Sequence, residues 1–147
     1  MKGDNPFSVY GLIMAAVLFL AGCGQKNGEN HHPDPAGEVR AETGRCWQAY
    51  QKYARGYDVL LPLSRSGTNW YEESLNISPV DAFSSMVVMG LTGKADTILE
   101  YVADSVDYVK DFDVKVFEVN IRILGGLVSM YHLSGQQRIL EKARDFG

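Results

Sequence analysis

The chain has 147 residues, of which 46% are hydrophobic and 22% charged, and its formal net charge is -4. This composition suits one globular unit with a buried core and excludes a disordered or fibrous chain. Because the lysines and arginines are scattered and form no basic stripe, the sequence also argues against nucleic acid as a partner.

The N-terminal segment has the features of a bacterial lipoprotein signal peptide in the right order. Lys2 precedes an apolar run, residues 11–22, that is too short to span a bilayer. The run leads into Leu-Ala-Gly-Cys at residues 20–23, which resembles a lipobox. We therefore predict a signal peptide over residues 1–22 and a chain anchored through lipid on Cys23 in the bacterial cell envelope, at the outer membrane or cell surface. The alternative is an ordinary secretory peptide with a chance cysteine.

Residues 23–37 lack apolar side chains large enough to bury, which predicts a flexible tether between the lipid and the fold. His31 and His32 lie in this tether. Two adjacent histidines without a third ligand are a weak signal for a metal site, and we assign them no role. The folded part is predicted over residues 38–147.

A first amphipathic helix is predicted over residues 38–57, because aromatic and apolar side chains recur there at spacings of three and four. Cys46 is expected to pack beside this face. A loop follows, in which Trp70 and Tyr71 could stack on a sugar ring, although packing under their own loop is the favoured interpretation. A second helix is predicted to start at Ser-Pro-Val-Asp, residues 78–81, with Ser78 as its cap, and to run to Leu91 with Gly93 after it.

Three more helical segments complete the predicted fold. Residues 94–110 read as a half-exposed helix, and residues 114–133 have almost no polar face, which predicts a helix buried on most sides. Gly135 is expected to end that helix, and residues 136–146 begin another. Since no convincing strand or hairpin pattern occurs, we predict an all-α fold of layered helical hairpins.

The chemistry is concentrated in the apolar segment, where Glu118 and Arg122 are the only full charges over residues 116–131. Their spacing of four places both side chains on one helical face. Burying a carboxylate is costly unless it is paired or protonated, so these charges must pair, face a polar cavity, or both. The residues alone leave two interpretations: a structural ion pair that braces the core, or an acid at the wall of a cavity.

Residues 116–135, Val-Phe-Glu-Val-Asn-Ile-Arg-Ile-Leu-Gly-Gly-Leu-Val-Ser-Met-Tyr-His-Leu-Ser-Gly, closely resemble the signature helix of the class I α-mannosidases of glycoside hydrolase family 47. Residues 79–91 are similar to a second helix of that family, and residues 47–57 and 66–70 resemble its opening helix and loop. The resemblance implies an (α/α)7 barrel of seven helical hairpins, of which this chain holds only an N-terminal part.

The resemblance also implies a function: hydrolysis of terminal α-1,2-linked mannose from glycans with inversion. Glu118 matches the family's catalytic acid, and Arg122 and Asp81 match residues of the sugar site. Asp81 can alternatively be a carboxylate that serves only the start of its helix. Ser84 stands where the family commonly has a second aspartate. The family uses Ca²⁺, held largely by a threonine near the end of its domain, and no residue here can be assigned as a metal ligand.

Two other functions stay open, a non-catalytic glycan-binding relative and a helical lipoprotein scaffold for protein partners. Because 147 residues cannot close a barrel of seven hairpins, we expect this chain alone to be inactive and poorly stable. We also expect it to expose the apolar side of residues 116–133.

Overall fold

The structure, a computed structural model, describes residues 34–147. In chain order its elements are α1 (Pro35–Tyr53), β1 (Val59–Leu61), β2 (Ser66–Thr68), α2 (Ile77–Val88), α3 (Thr92–Ser105), α4 (Val116–Val119), a π-helical segment (Asn120–Leu124), α5 (Gly125–Ser134) and α6 (Gln137–Phe146). Helices account for 65% of this part of the chain, which confirms the all-α prediction.

The predicted signal peptide, Cys23 and the pair His31 and His32 lie outside the described residues. Within residues 34–147, no helix is both long and apolar enough to cross a membrane. Helix α1 begins at Pro35, inside the last part of the predicted tether, and its proline occupies a position in the first turn that suits a residue without an N–H group.

A short β-hairpin, which the sequence analysis did not predict, follows α1. Strands β1 and β2 pair in antiparallel fashion with Leu60 opposite Gly67. A Cβ atom at Gly67 would overlap the ring of Tyr57, so only glycine lets the hairpin close over this ring. The expectation of no strand was wrong because three-residue strands are too short to show an alternating pattern.

Helix α2 starts and ends differently from its prediction. It begins at Ile77 after Asn76, whose backbone is left-handed, and the Ser78 hydroxyl donates to the carbonyl of Asp58 instead of capping the helix. It ends before Gly90, which has a φ of 69° and allows the Leu91 N–H to donate to the carbonyl of Met86 at 2.9 Å. The predicted end at Leu91 was therefore wrong, because the left-handed glycine that closes the helix comes earlier.

Two helical hairpins lie side by side. Helices α2 and α3 form one and α5 and α6 form the other, with Gly135 in the left-handed conformation at the predicted end of α5. A Cβ atom at Gly126 would overlap Cγ1 of Val80, and the Oγ atoms of Ser84 and Ser129 are 2.9 Å apart. Residues 80 and 84 of α2 lie opposite residues 126 and 129 of α5, so residue numbers increase in the same direction along both helices. Helices α2 and α5 are therefore parallel neighbours, and α3 contacts α6.

The apolar helix is buried on one side only. Ile123, Leu127 and Met130 are fully buried, whereas Phe117 is 71% exposed and Ile121 is 53% exposed. The prediction that residues 116–133 expose an apolar side is therefore confirmed. The prediction that this helix is buried on most sides does not hold within residues 34–147. Cys46 is exposed rather than packed in the core, and it lines an open groove together with Trp47 and Tyr50 of α1.

Tyr50, which is buried, and Tyr108, which is half-buried with a buried hydroxyl, offer a matched test of the core. Burial raises the pKa of both Tyr50 and Tyr108 above its ordinary value. The Tyr50 hydroxyl donates to the carbonyl of Tyr57 at 2.7 Å, whereas the Tyr108 hydroxyl is buried without a hydrogen-bond partner within residues 34–147. The two hydroxyls therefore differ mainly in whether their hydrogen bond is satisfied.

We expect Tyr50→Phe to lower the free energy of unfolding by about 1 kcal/mol and Tyr108→Phe to leave it unchanged or raise it by about 1 kcal/mol. The pKa of Tyr108 in the folded protein lies above the unfolded value of about 10, so at higher pH the unfolded chain loses this proton first. The stability of the parent protein is therefore unaffected by Tyr108 ionisation below about pH 10 and declines as the pH rises further. Stability of the Tyr108→Phe variant should therefore decline less on raising the pH above about 10. Denaturant unfolding of the full-length protein at neutral and alkaline pH measures both effects, and equal losses of stability for the two variants would contradict this account.

Candidate functional site

The structure brings together the three predicted site residues of the described chain. Helix α2 carries Asp81, α4 carries Glu118, and the π-helical segment carries Arg122. The Arg122 Nε donates to Oε2 of Glu118 at 2.9 Å, and its Nη1 donates to Oδ2 of Asp81 at 2.7 Å. One guanidinium therefore joins a carboxylate of α2 to a carboxylate of α4, which continues through the π-helical segment into α5, the parallel neighbour of α2.

The carboxylates of this cluster are open to solvent. Side-chain exposure is 31% for Glu118, 36% for Asp81 and 37% for Arg122. Hydrogen bonds from Arg122 to Glu118 and then to Asp81 raise the pKa of the guanidinium, which keeps it cationic. Exposed ion pairs contribute little to stability, so bracing of the core does not account for this arrangement. Asp81 also lies beyond the first turn of α2, which argues against a role confined to the start of that helix.

The π-helical segment supplies the local geometry of Arg122. The Gly125 N–H donates to the carbonyl of Asn120, five residues earlier, instead of the usual four. Such a widened turn changes the direction in which the following side chains project, and π-helical turns often occur at functional sites. The π-helical turn has no counterpart in the hydrophobic periodicity of residues 114–133, which predicted a regular helix.

Trp70 belongs to the site, although the sequence analysis favoured packing for it. The Arg122 guanidinium carbon lies 5.1 Å from the centroid of the Trp70 ring, within the range of a cation–π contact. Trp70, Tyr71, Lys115 and Glu118 line an open groove of about 420 Å³. Tyr71 does pack as predicted: its ring stacks on Phe112 with centroids 5.9 Å apart.

Asp58, which sequence reasoning missed, anchors the loop that carries Trp70. Its side chain is completely buried. Oδ2 accepts the Trp70 N–H at 3.0 Å, while Oδ1 accepts the N–H groups of Leu75 at 2.8 Å and Ile77 at 3.2 Å and the Ser74 hydroxyl at 3.1 Å. These charge-assisted bonds compensate the burial of a carboxylate. The sequence signal was slight: an aspartate directly before a short apolar run.

A second open groove, of about 440 Å³, lies between α1, the β-hairpin and α2, and Asp81 is part of its lining together with Trp47, Tyr50 and Leu60. Glu118 faces one groove and Asp81 the other, with Arg122 between them. Carboxylates and a guanidinium in this arrangement can accept and donate hydrogen bonds to hydroxyl groups and can transfer a proton. In residues 34–147, no group of three or more His, Cys, Asp or Glu residues could hold a metal ion.

Side-by-side helical hairpins with parallel neighbouring helices, as found here, are the building units of a helical barrel. The α-1,2-mannosidase from Trichoderma reesei has a solved structure that superposes with a TM-score of 0.68 and 29% identity, over 76% of this chain and 26% of that chain. The sequence profile of glycosyl hydrolase family 47 matches residues 43–147. The chain belongs to glycosyl hydrolase family 47, and its fold is an incomplete part of the (α/α)7 barrel, as predicted.

Curated relatives agree with this assignment. The endoplasmic reticulum mannosyl-oligosaccharide 1,2-alpha-mannosidase of Homo sapiens is 44% identical over 102 residues, which are 69% of this chain and 14% of the relative. Mannosyl-oligosaccharide 1,2-alpha-mannosidase MNS1 of Arabidopsis thaliana is 42% identical over 108 residues, 74% of this chain and 19% of the relative. The chain thus spans less than a fifth of the length of these two relatives.

Proposed function

We propose that this chain supplies the general acid and part of the sugar-binding site of an inverting α-1,2-mannosidase, which removes terminal α-1,2-linked mannose from glycans. The observation that carries the proposal is the Glu118–Arg122–Asp81 cluster, open to solvent on two parallel helices of a family 47 fold. The relatives' names, mannosyl-oligosaccharide 1,2-alpha-mannosidase, support the substrate class.

Each residue of the cluster has a distinct part in the proposed reaction. Inversion needs one carboxyl group that protonates the leaving oxygen and another that activates water on the opposite face of the sugar. Glu118 is the acid: Arg122 holds its Oε2, and no other hydrogen bond reaches this carboxylate within residues 34–147. The second oxygen is thereby left for a water or the glycosidic oxygen. Arg122 orients both carboxylates and, with Asp81, hydrogen-bonds sugar hydroxyls. We assign no base to the described residues.

Calcium is part of the proposal because the family resemblance implies it. The described residues do not fit such a site by themselves, since they contain no cluster of metal-ligating side chains. We therefore derive no step of the reaction from the ion. Its ligands are proposed to lie in parts of the family's catalytic domain that this chain does not match.

Incubating the full-length gene product with α-1,2-mannobiose and Ca²⁺ should release mannose, first as the β-anomer. A chelator should stop the release, and added Ca²⁺ should restore it. The anomer is read by proton NMR and the total by reducing-sugar analysis, with α-1,6-mannobiose as the linkage control. A folded full-length protein that leaves the α-1,2-disaccharide intact would contradict the proposed function.

A lipid anchor on Cys23 is proposed for the N-terminus, on the strength of the lipobox-like Leu-Ala-Gly-Cys at residues 20–23. We expect Cys23→Ser to move the protein from the detergent phase to the aqueous phase in detergent partitioning of bacterial cells. Cys46→Ser is the matched control, because Cys46 is an exposed cysteine of the folded unit and its removal should leave partitioning unchanged. Equal partitioning of the Cys23→Ser variant and the parent would refute the anchor.

A non-catalytic glycan-binding role is the second candidate, and Ser84 is the observation that favours it. Where the family resemblance leads us to expect an aspartate, the Ser84 hydroxyl instead lies 2.9 Å from the Ser129 hydroxyl across the α2–α5 interface. The two hydroxyls share one hydrogen bond and carry no charge, so the carboxylate that the resemblance implies is missing beside the cluster. Binding of α-1,2-mannobiose by the folded full-length protein without any hydrolysis would support this role.

A further inference from the structure

A chain of contacts connects a buried carboxylate to the arginine of the site. Asp58 is fully buried, and its Oδ2 accepts the backbone N–H of Trp70 at 3.0 Å. The Trp70 ring in turn lies 5.1 Å from the Arg122 guanidinium. Arg122 then reaches both Glu118 and Asp81. The loop after the β-hairpin is thus attached at one end to the core and at the other to the site.

The exposure of Trp70 distinguishes it from a residue that merely fills the core. The chain has two tryptophans. Trp47 is 7% exposed and stacks on Tyr50, whereas Trp70 is 43% exposed and lines the groove that also contains Glu118. An exposed tryptophan costs solvation free energy, and the contact it makes here is with a charged group rather than with apolar neighbours.

The geometry of a guanidinium explains what the ring can do. The arginine side chain is long and flexible, and its planar guanidinium can donate to two carboxylates at once only if the orientation of the plane is fixed. The hydrogen bonds to Glu118 and Asp81 are made at the edge of the guanidinium plane. The face of the Trp70 ring, which contacts the guanidinium, restricts rotation of that plane out of the direction that both carboxylates require. Without the ring, Arg122 could keep one carboxylate and lose the other.

We propose that Trp70 is a positioning residue for Arg122, and that Asp58 fixes Trp70 in place by accepting its backbone N–H. The inference rests on the proposed function, because it gives Trp70 a part in orienting Glu118 through Arg122. Trp70 is not a catalytic residue in this account. It acts on the reaction only through the arginine.

The kinetic test compares Trp70→Leu with Trp70→Phe in the full-length protein. Removing the aromatic face should lower kcat/KM for α-1,2-mannobiose roughly three- to thirtyfold, the range expected from loss of a cation–π contact. Phenylalanine keeps an aromatic face and should recover kcat/KM to within about threefold of the parent. Tyr53→Leu is the matched control: it removes the Lys52–Tyr53 cation–π contact of α1, at 5.0 Å, and should leave kcat/KM unchanged.

The spectroscopic test does not depend on hydrolysis. In the full-length protein labelled with 5-fluorotryptophan, the ¹⁹F resonance of Trp70 is identified by its loss in the Trp70→Phe variant. Its line width and its shift between H₂O and D₂O report the mobility and the solvent accessibility of the ring. Arg122→Ala should narrow this resonance and increase its solvent-dependent shift. Asp58→Asn should do the same, because the amide group keeps the size of the side chain but loses an acceptor. Arg138→Ala, which removes the ion pairs with Glu100 and Asp104, should change neither.

The outcomes separate the two proposals. If the parent does not hydrolyse the disaccharide but Trp70 responds to Arg122→Ala and Asp58→Asn, the proposed function fails and the positioning contacts stand. If the parent is active while Trp70→Leu keeps its kcat/KM, Trp70 only packs its loop and the inference is overturned. The inference is equally overturned if the Trp70→Leu and Trp70→Phe variants lose the same activity, or if the ¹⁹F resonance of Trp70 does not change in Arg122→Ala.

Discussion

Glu118→Gln is expected to lower kcat of the full-length protein for α-1,2-mannobiose by roughly a hundred- to ten-thousandfold, the contribution of a general acid. Glutamine has the size of glutamate and an oxygen that can still accept the Arg122 Nε–H, which bonds Glu118 at 2.9 Å in the parent. It has no acidic proton to give to the leaving oxygen. Initial rates over a range of substrate concentrations measure kcat and KM separately.

Glu100→Gln is the matched control for this prediction. Glu100 also pairs with an arginine, Arg138, at 3.3 Å, but this pair joins α3 to α6. Its loss should leave kcat unchanged. Disaccharide binding measured by calorimetry should survive Glu118→Gln, since Arg122 and Asp81 remain. Turnover by this variant within a few-fold of the parent would show that Glu118 is not the acid, and a scaffold without hydrolytic function would show no turnover in either protein.

Gly126→Ala should destabilise the fold by about 1–3 kcal/mol, the usual cost of forcing an extra group into a packed interface. The new Cβ atom would overlap Cγ1 of the buried Val80 in the contact between α2 and α5. In an unconstrained helix the same change stabilises by up to about 1 kcal/mol, so the expected sign is opposite to that of helix propensity. Because Asp81 and Arg122 lie beside this contact, separation of the helices should also weaken their ion pair. Urea unfolding of the full-length protein, followed by circular dichroism, measures the loss of stability.

Gly93→Ala provides the control, because it lies in α3 and a Cβ atom there would have nothing within 4 Å. It should leave stability unchanged or raise it by up to about 1 kcal/mol. Val80→Ala combined with Gly126→Ala should restore part of the loss by removing the overlapping methyl group. If Gly126→Ala and Gly93→Ala raise the unfolding midpoint equally, close packing of α2 on α5 is not what requires glycine at this position.

The sequence was sufficient for features that depend on neighbours along the chain. The spacing of four between Glu118 and Arg122 was enough to predict that both side chains lie on one helical face, and the structure shows that they pair there. Gly135 marked a helix end, because glycine adopts the left-handed conformation found there without strain. The apolar character of residues 116–133 predicted a surface that this chain leaves exposed. The resemblance of residues 116–135 to a signature helix supplied the family, which no periodicity could have done.

Tertiary structure alone decided which distant residues meet the helix. Asp81 reaches Arg122 across a separation of 41 residues, and this contact exists because Gly126 allows α2 and α5 to approach closely. Trp70 became part of the site because Asp58, buried next to the β-hairpin, fixes the backbone of its loop. Short sequence patterns predict a turn or a helical face because the interactions that stabilise these features are made by residues close together in the chain. Contacts between distant segments depend on the packing of whole elements, and for that reason Asp58, the hairpin and the π-helical turn could not be predicted from the sequence.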